Sequence, residues 1–148
     1  MMRFDCTLHG HGWFAAQFSN ETEELTLCVS YLSDAPRDFL ASIALLLEGR
    51  ANAECRWQDE PGEYRLQLTR KDDVIVLRIL SLKDSFSRLT DINGNAIFDA
   101  TTTCIELGNA VRNAFDRLSQ QYTATEYKAL WGHPYPQSEI QRLNSSLK

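Results

Sequence analysis

Two histidines, His9 and His11, flank Gly10, and Cys6 lies three residues before the first of them. Imidazole and thiolate are zinc ligands, and they also pair as base and nucleophile, so this fragment is where chemistry would be sought first. A metal would need further ligands, and the remaining histidine, His133, lies far along the chain. Gly10 and Gly12 make a turn here, and exposed turn histidines are the plainer reading. Cys6 has the same parity as Phe4 and Leu8, which predicts a buried, inert thiol rather than a nucleophile. The four cysteines, Cys6, Cys28, Cys55 and Cys104, are widely spaced with no CxxC pair. That spacing does not suit a four-thiolate zinc site and fits free thiols packed as small apolar groups. GxGxxG and P-loop patterns are absent from the sequence. No metal, no cofactor and no catalytic residue is therefore expected.

The second chemical candidate is acidic. Asp59-Glu60-Pro61-Gly62-Glu63 carries three carboxylates in five residues. Paired carboxylates do acid–base work when a pocket drives their pKa values apart. On a hairpin tip they are more simply solvated, and Glu60 or Glu63 has a third option in pairing with Arg65, Arg56 or a helix end. The loop Glu21-Thr22-Glu23-Glu24 concentrates charge in the same way. Net charge over the chain is −5, which disfavours a nucleic-acid partner, because such binders neutralise phosphates. The acidity favours a basic protein partner. Asp59, Glu60 and Glu63, with Glu21, Glu23 and Glu24, are the candidate partner-binding residues.

The elements that must position these groups can be read from periodicity. Phe4, Cys6 and Leu8 alternate with polar residues; so do Phe14, Ala16 and Phe18, and then Leu25, Leu27, Val29 and Tyr31. Period two is the mark of half-buried strands. Ser33-Asp34-Ala35-Pro36 starts a helix whose stripe is Phe39, Ile43 and Leu46 with Leu40 and Leu47, and Gly49 ends it. A second meander follows from about Cys55 to Leu80. Pro61-Gly62 reads as a type II turn, with Gly62 at positive φ, and Asp72-Asp73 as the next turn. Val74 to Leu80 is apolar on both parities except at Arg78, which predicts an inner strand covered on both faces. Asn93-Gly94 suggests two short strands at roughly 83–92 and 95–99. Thr103-x-x-Glu106 is a capping box opening a second helix with Cys104, Leu107, Val111, Phe115, Leu118 and Tyr122 in its stripe. An aromatic tail and a short helix from Glu139 to Leu147 close the chain.

The expected fold is α+β: a twisted antiparallel β-sheet with two long helices packed on one face, in β-meander–helix–β-meander–helix order. One domain spans 1–148, with the C-terminal tail, about 123–148, packed on it. The start, MMRFDCTLHG, lacks the apolar run of a signal peptide, and no stretch approaches ~18 apolar residues. A cytoplasmic protein with no membrane span is expected.

Three segments carry a resemblance: Ser30-Tyr31-Leu32-Ser33-Asp34-Ala35, Glu60-Pro61-Gly62-Glu63-Tyr64-Arg65, and Tyr127-x-x-x-Trp131-x-His133-Pro134-Tyr135-Pro136. They resemble a family of small bacterial proteins with no established activity, some of whose kind are encoded beside toxins as immunity proteins. What the resemblance implies is a non-catalytic protein that binds and neutralises a cognate toxin domain, with a nuclease as one option. The alternative is a small-ligand-binding protein or enzyme using a pocket between helix and sheet.

Overall fold

Residues 2–59, 62–83 and 94–147 are described by a computed structural model. The first meander forms β1 (Arg3–His9), β2 (Trp13–Ser19) and β3 (Glu24–Ser30), an antiparallel sheet in that order. Its register sets Phe4 against Phe18, Leu8 against Phe14, and Phe14 against Val29. One face is thereby wholly apolar, as alternation requires. Helix α1 (Ala35–Leu47) leads to β4 (Asn52–Gln58), β5 (Glu63–Lys71), β6 (Val74–Leu82) and β7 (Asn95–Thr103), a second antiparallel sheet, also in sequence order. Helices α2 (Cys104–Gln121), α3 (Ala124–Trp131) and α4 (Gln137–Ser146) complete the chain.

The α+β class and the meander–helix–meander–helix order hold. The strands, however, divide into two sheets of three and four strands rather than forming one. Their inner faces share one aromatic core with α1. Phe39 of α1 lies 5.0 Å from Phe4, 6.0 Å from Phe18 and 5.5 Å from Trp57, ring centre to ring centre. Phe18 also reaches Trp57 and Phe98 at 6.1 Å each. Tilted and edge-to-face rings at such spacings add to simple area burial. Two sheets that close on a common helix bury more aromatic surface than one sheet with a single covered face.

Helix ends follow local chemistry with two departures. Pro36 sits in the first turn of α1, but the N-cap residue Asp34 makes no capping bond with its side chain. Thr103 Oγ1 accepts from the Glu106 N–H at 3.2 Å, as a cap should. Glu106 instead takes a hydrogen bond from Thr102 Oγ1, so this box is half closed. The fully reciprocal box opens α3, between Thr123 and Glu126, in a tail where the aromatic pattern had shown no helix. Helix α4 buries Ile140 and Leu143, and Arg142 reaches back to Glu48, the C-cap of α1, at 2.6 and 2.7 Å.

One further expectation changes, and two fall wholly or partly outside the described residues. Strand β6 is inner in strand order, but Val74, Val76 and Arg78 are exposed on its outer face, so it is not covered on both sides there. At Gly62 glycine is needed for space, since a Cβ would stand 2.6 Å from the Leu82 carbonyl oxygen; the type II turn expected with Pro61 lies partly outside the described residues. The strand expected at roughly 83–92 falls almost wholly outside the described residues, as do Glu60 and Pro61.

Candidate functional site

The acidic candidates separate. Glu63 is buried at 2% exposure, and its Oε2 accepts from Arg65 Nε at 2.7 Å, Arg65 being equally buried. Arg56 Nε lies 4.0 Å from the same carboxylate oxygen. Glu63 is thus a partner-binding candidate that the structure removes from the surface; it is an internal counter-ion. The cause lies in the sheet: β4–β5 register places Arg56 directly opposite Arg65. Two guanidinium groups side by side need an anion between them. Asp59 is half-buried, and its electrostatic neighbours are Tyr64 and Cys28. Glu60 lies outside the described residues. Glu21, Glu23 and Glu24 are all exposed. They sit where β3 begins, whereas Asp59 lies beside Cys28 in its second half. The two acidic stretches therefore do not share one spot.

Cys6 and Cys55 are buried, and burial pushes both thiols upward, Cys55 to about 12. A thiol held protonated at neutral pH is no nucleophile. Cys104 is buried and Cys28 exposed, all four being free thiols. Cys28 departs from the buried expectation because its parity sends it to the outer face of the first sheet. Among the described residues no group of three or more His, Cys, Asp or Glu side chains could hold a metal ion. No helix among them is long and apolar enough to cross a membrane.

An open cleft of about 640 Å³ lies between α2 and the first sheet, with Arg3, Asp5, Gln17, Glu106, Asn109 and Arg117 in its lining. Two pairs of its polar groups are committed to one another. Arg117 Nη2 lies 3.2 Å from Asp5 Oδ1, and Gln17 Nε2 donates to Glu24 at the same distance. Ile105 stands at its rim, 69% exposed.

At the opposite end of the first sheet three connections converge on one surface. In the β1–β2 turn, Gly12 N donates to the Leu130 carbonyl of α3 at 2.6 Å, and the Gly12 carbonyl accepts from Tyr31 N at 3.0 Å. The Tyr31 carbonyl lies 2.7 Å from His133 Nε2. A carbonyl only accepts, so the proton of a neutral His133 belongs on Nε2. Trp131 Nε1 donates to Asp34 Oδ1 at 3.1 Å, the contact that takes Asp34 away from capping α1. Ser33 Oγ accepts from Gln58 N at 3.2 Å, tying in the end of β4. The ring of Tyr31 lies over Gly12 and Gly132, whose φ values are +80° and +103°. A Cβ on Gly12 would come within 2.8 Å of Tyr31 Cδ1. Yet Tyr31 stays 51% and the adjacent Leu32 59% exposed. Burial pushes the Asp38 carboxyl above the usual carboxylate range, and the Asp34 charge reinforces the shift.

No protein-family model and no curated protein matches the chain. Among solved structures, one chain of the "CdiA-CT/CdiI toxin and immunity complex from Enterobacter cloacae" overlaps it with 13% identity and a TM-score of 0.49, over 79% of this chain and 99% of that one. An overlap of that size leaves the function to be argued from this chain's own residues.

Tyr31, Leu32, Gly132 and His133 were not among the acidic candidates. Two segments singled out in the sequence, Ser30–Ala35 and Tyr127–Pro136, are the ones that meet here. Their spacing gives no hint of the contact, since Trp131 and Asp34 are 97 residues apart.

Proposed function

We propose that the chain is a non-catalytic, cytoplasmic binding protein that neutralises a cognate toxin domain. One observation carries this reading: an acid-rich chain displays two exposed apolar side chains, Tyr31 and Leu32, on a backbone fixed by hydrogen bonds from separate elements. Binding gains from such display, because a surface ordered in advance loses little entropy on association. Catalysis would call instead for titratable groups poised around a pocket. Toxin nucleases act on an anionic substrate and are commonly basic, so an acidic partner gains in steering and complementarity. The exposed acids Glu21, Glu23 and Glu24 and the half-buried Asp59 contribute to that field in this reading. Purified chain mixed with the toxin domain encoded beside its gene should form a stable complex and suppress the toxin's activity. Turnover of a small molecule with no such complex would overturn the proposal.

The cleft between α2 and the first sheet favours a second reading, a small-ligand binder, because it gathers groups of both charges. A zwitterionic ligand would suit it. Reversing Arg117 to Glu should abolish any ligand-induced rise in Tm if this reading holds.

A further inference from the structure

We propose that Tyr31 and Leu32 are the apolar anchor of the docking surface, and that the partner meets it with arginine or lysine side chains. This rests on the reading of the chain as a protein-binding module. Other large apolar side chains are exposed as well, Val74 and Val76 on β6 and Ile105 on α2. Those three occupy ordinary strand and helix positions, where their exposure follows from parity or helical phase. Tyr31 and Leu32 lie in the link between β3 and α1, and several elements contribute to holding them outward.

The β1–β2 turn supplies a backbone acceptor for Tyr31 N, and His133 supplies a donor for its carbonyl. Gly12 and Gly132 leave room for the ring at positive φ, a backbone region that side chains rarely occupy. Ser33, next to Leu32, is tied to β4. An aromatic ring fixed in this way but left half-exposed has the character of an interface hot spot, where aromatic residues seated in advance dominate affinity.

Charge on the surrounding elements selects the partner. Asp34 and Asp38 open α1 just after the anchor, and Asp59 follows Gln58, whose N–H reaches Ser33. Arg37 of α1 is directed to Glu139 at 3.8 Å, and His133 is engaged at the Tyr31 carbonyl. A guanidinium or ammonium group would find the face of Tyr31 and nearby carboxylates together, the arrangement that favours cation–π contact. Leu32 would fill an apolar recess beside it. A standard interface takes roughly 800 Å² from each partner, so flanking surface must join this pair.

The test uses the full chain and the purified toxin domain encoded beside its gene, with association and dissociation followed across a salt series. Tyr31→Ser and Leu32→Ser should each weaken binding about tenfold or more, mainly through faster dissociation. Ile105→Ser should leave it unchanged. Association with the unaltered chain should slow as salt rises. Unchanged affinity in Leu32→Ser, a variant that keeps the Tyr31 ring over its glycines, would overturn the anchor while leaving toxin neutralisation standing. A loss in Ile105→Ser alone would move the surface to the cleft. Salt-independent association would overturn the basic partner. No binding by the unaltered chain would remove the neutralisation reading itself, and the anchor with it.

Discussion

Strand β3 separates two surfaces of opposite construction. Before it runs the turn 20–23, in which Asn20 Oδ1 accepts from the backbone of Thr22 and Glu23 at 2.9 and 2.8 Å, and Glu21, Glu23 and Glu24 are exposed. After it come Tyr31 and Leu32, apolar and exposed, held by contacts from the β1–β2 turn and the segment after α3. The first surface is organised mainly by its own turn, with Asn20 Nδ2 also donating to the Asp99 carbonyl at 2.9 Å and Gln17 Nε2 to Glu24 at 3.2 Å. The second exists only because distant parts of the chain meet. Charge can be displayed by a local turn, whereas display of an apolar group at a fixed angle takes tertiary support.

The comparison can be broken in three places. The largest effect is expected inside the second sheet, where a carboxylate is structural rather than displayed. Glu63→Gln removes the buried carboxylate that Arg65 and Arg56 both face, and should cost about 3–5 kcal/mol in urea unfolding. Replacing both members of the pair, as Glu63→Leu with Arg65→Met, should cost less than the single change. A single change costing under about 0.5 kcal/mol, the range of ordinary surface substitutions, would mean that Glu63 is solvated after all.

The second effect is smaller and local to the Tyr31 end. Gly12→Ala adds a Cβ 2.8 Å from the Tyr31 ring at a φ of +80°. Gly10→Ala adds one in open space at a φ of +58°. Both pay backbone strain of about 1 kcal/mol, so the excess cost in Gly12→Ala measures how firmly the ring is seated. Equal losses of Tm in the two variants would show that the ring swings aside freely.

The smallest effect is expected at the acidic turn. Changing Glu21, Glu23 and Glu24 together to Gln should shift stability by no more than about 0.5 kcal/mol per site. The same change should slow association with a basic toxin domain at low salt, with little change at high salt. A large loss of stability would mean that the turn is a structural element rather than a displayed charge.

The sequence by itself determined the strands of both meanders, the apolar stripes of α1 and α2, and the Thr103 cap, because each depends on side chains two to four positions apart. It also offered Arg65 and Arg56 as counter-ions for Glu63 but favoured a solvated hairpin tip. Burial was decided by the β4–β5 register, which sets two arginines opposite each other and leaves Glu63 between them. The division into two sheets was likewise decided in three dimensions, by Phe39 reaching Phe4, Phe18 and Trp57 at once. Helix α3 escaped the periodicity because it buries only Tyr127 and Trp131, too few residues for a stripe. Exposure of Tyr31 was hidden for a related reason: its parity continues Leu25, Leu27 and Val29 toward the core. The β-strand ends at Ser30, and past that point alternation no longer decides which way a side chain faces; the Gly12 and His133 contacts do.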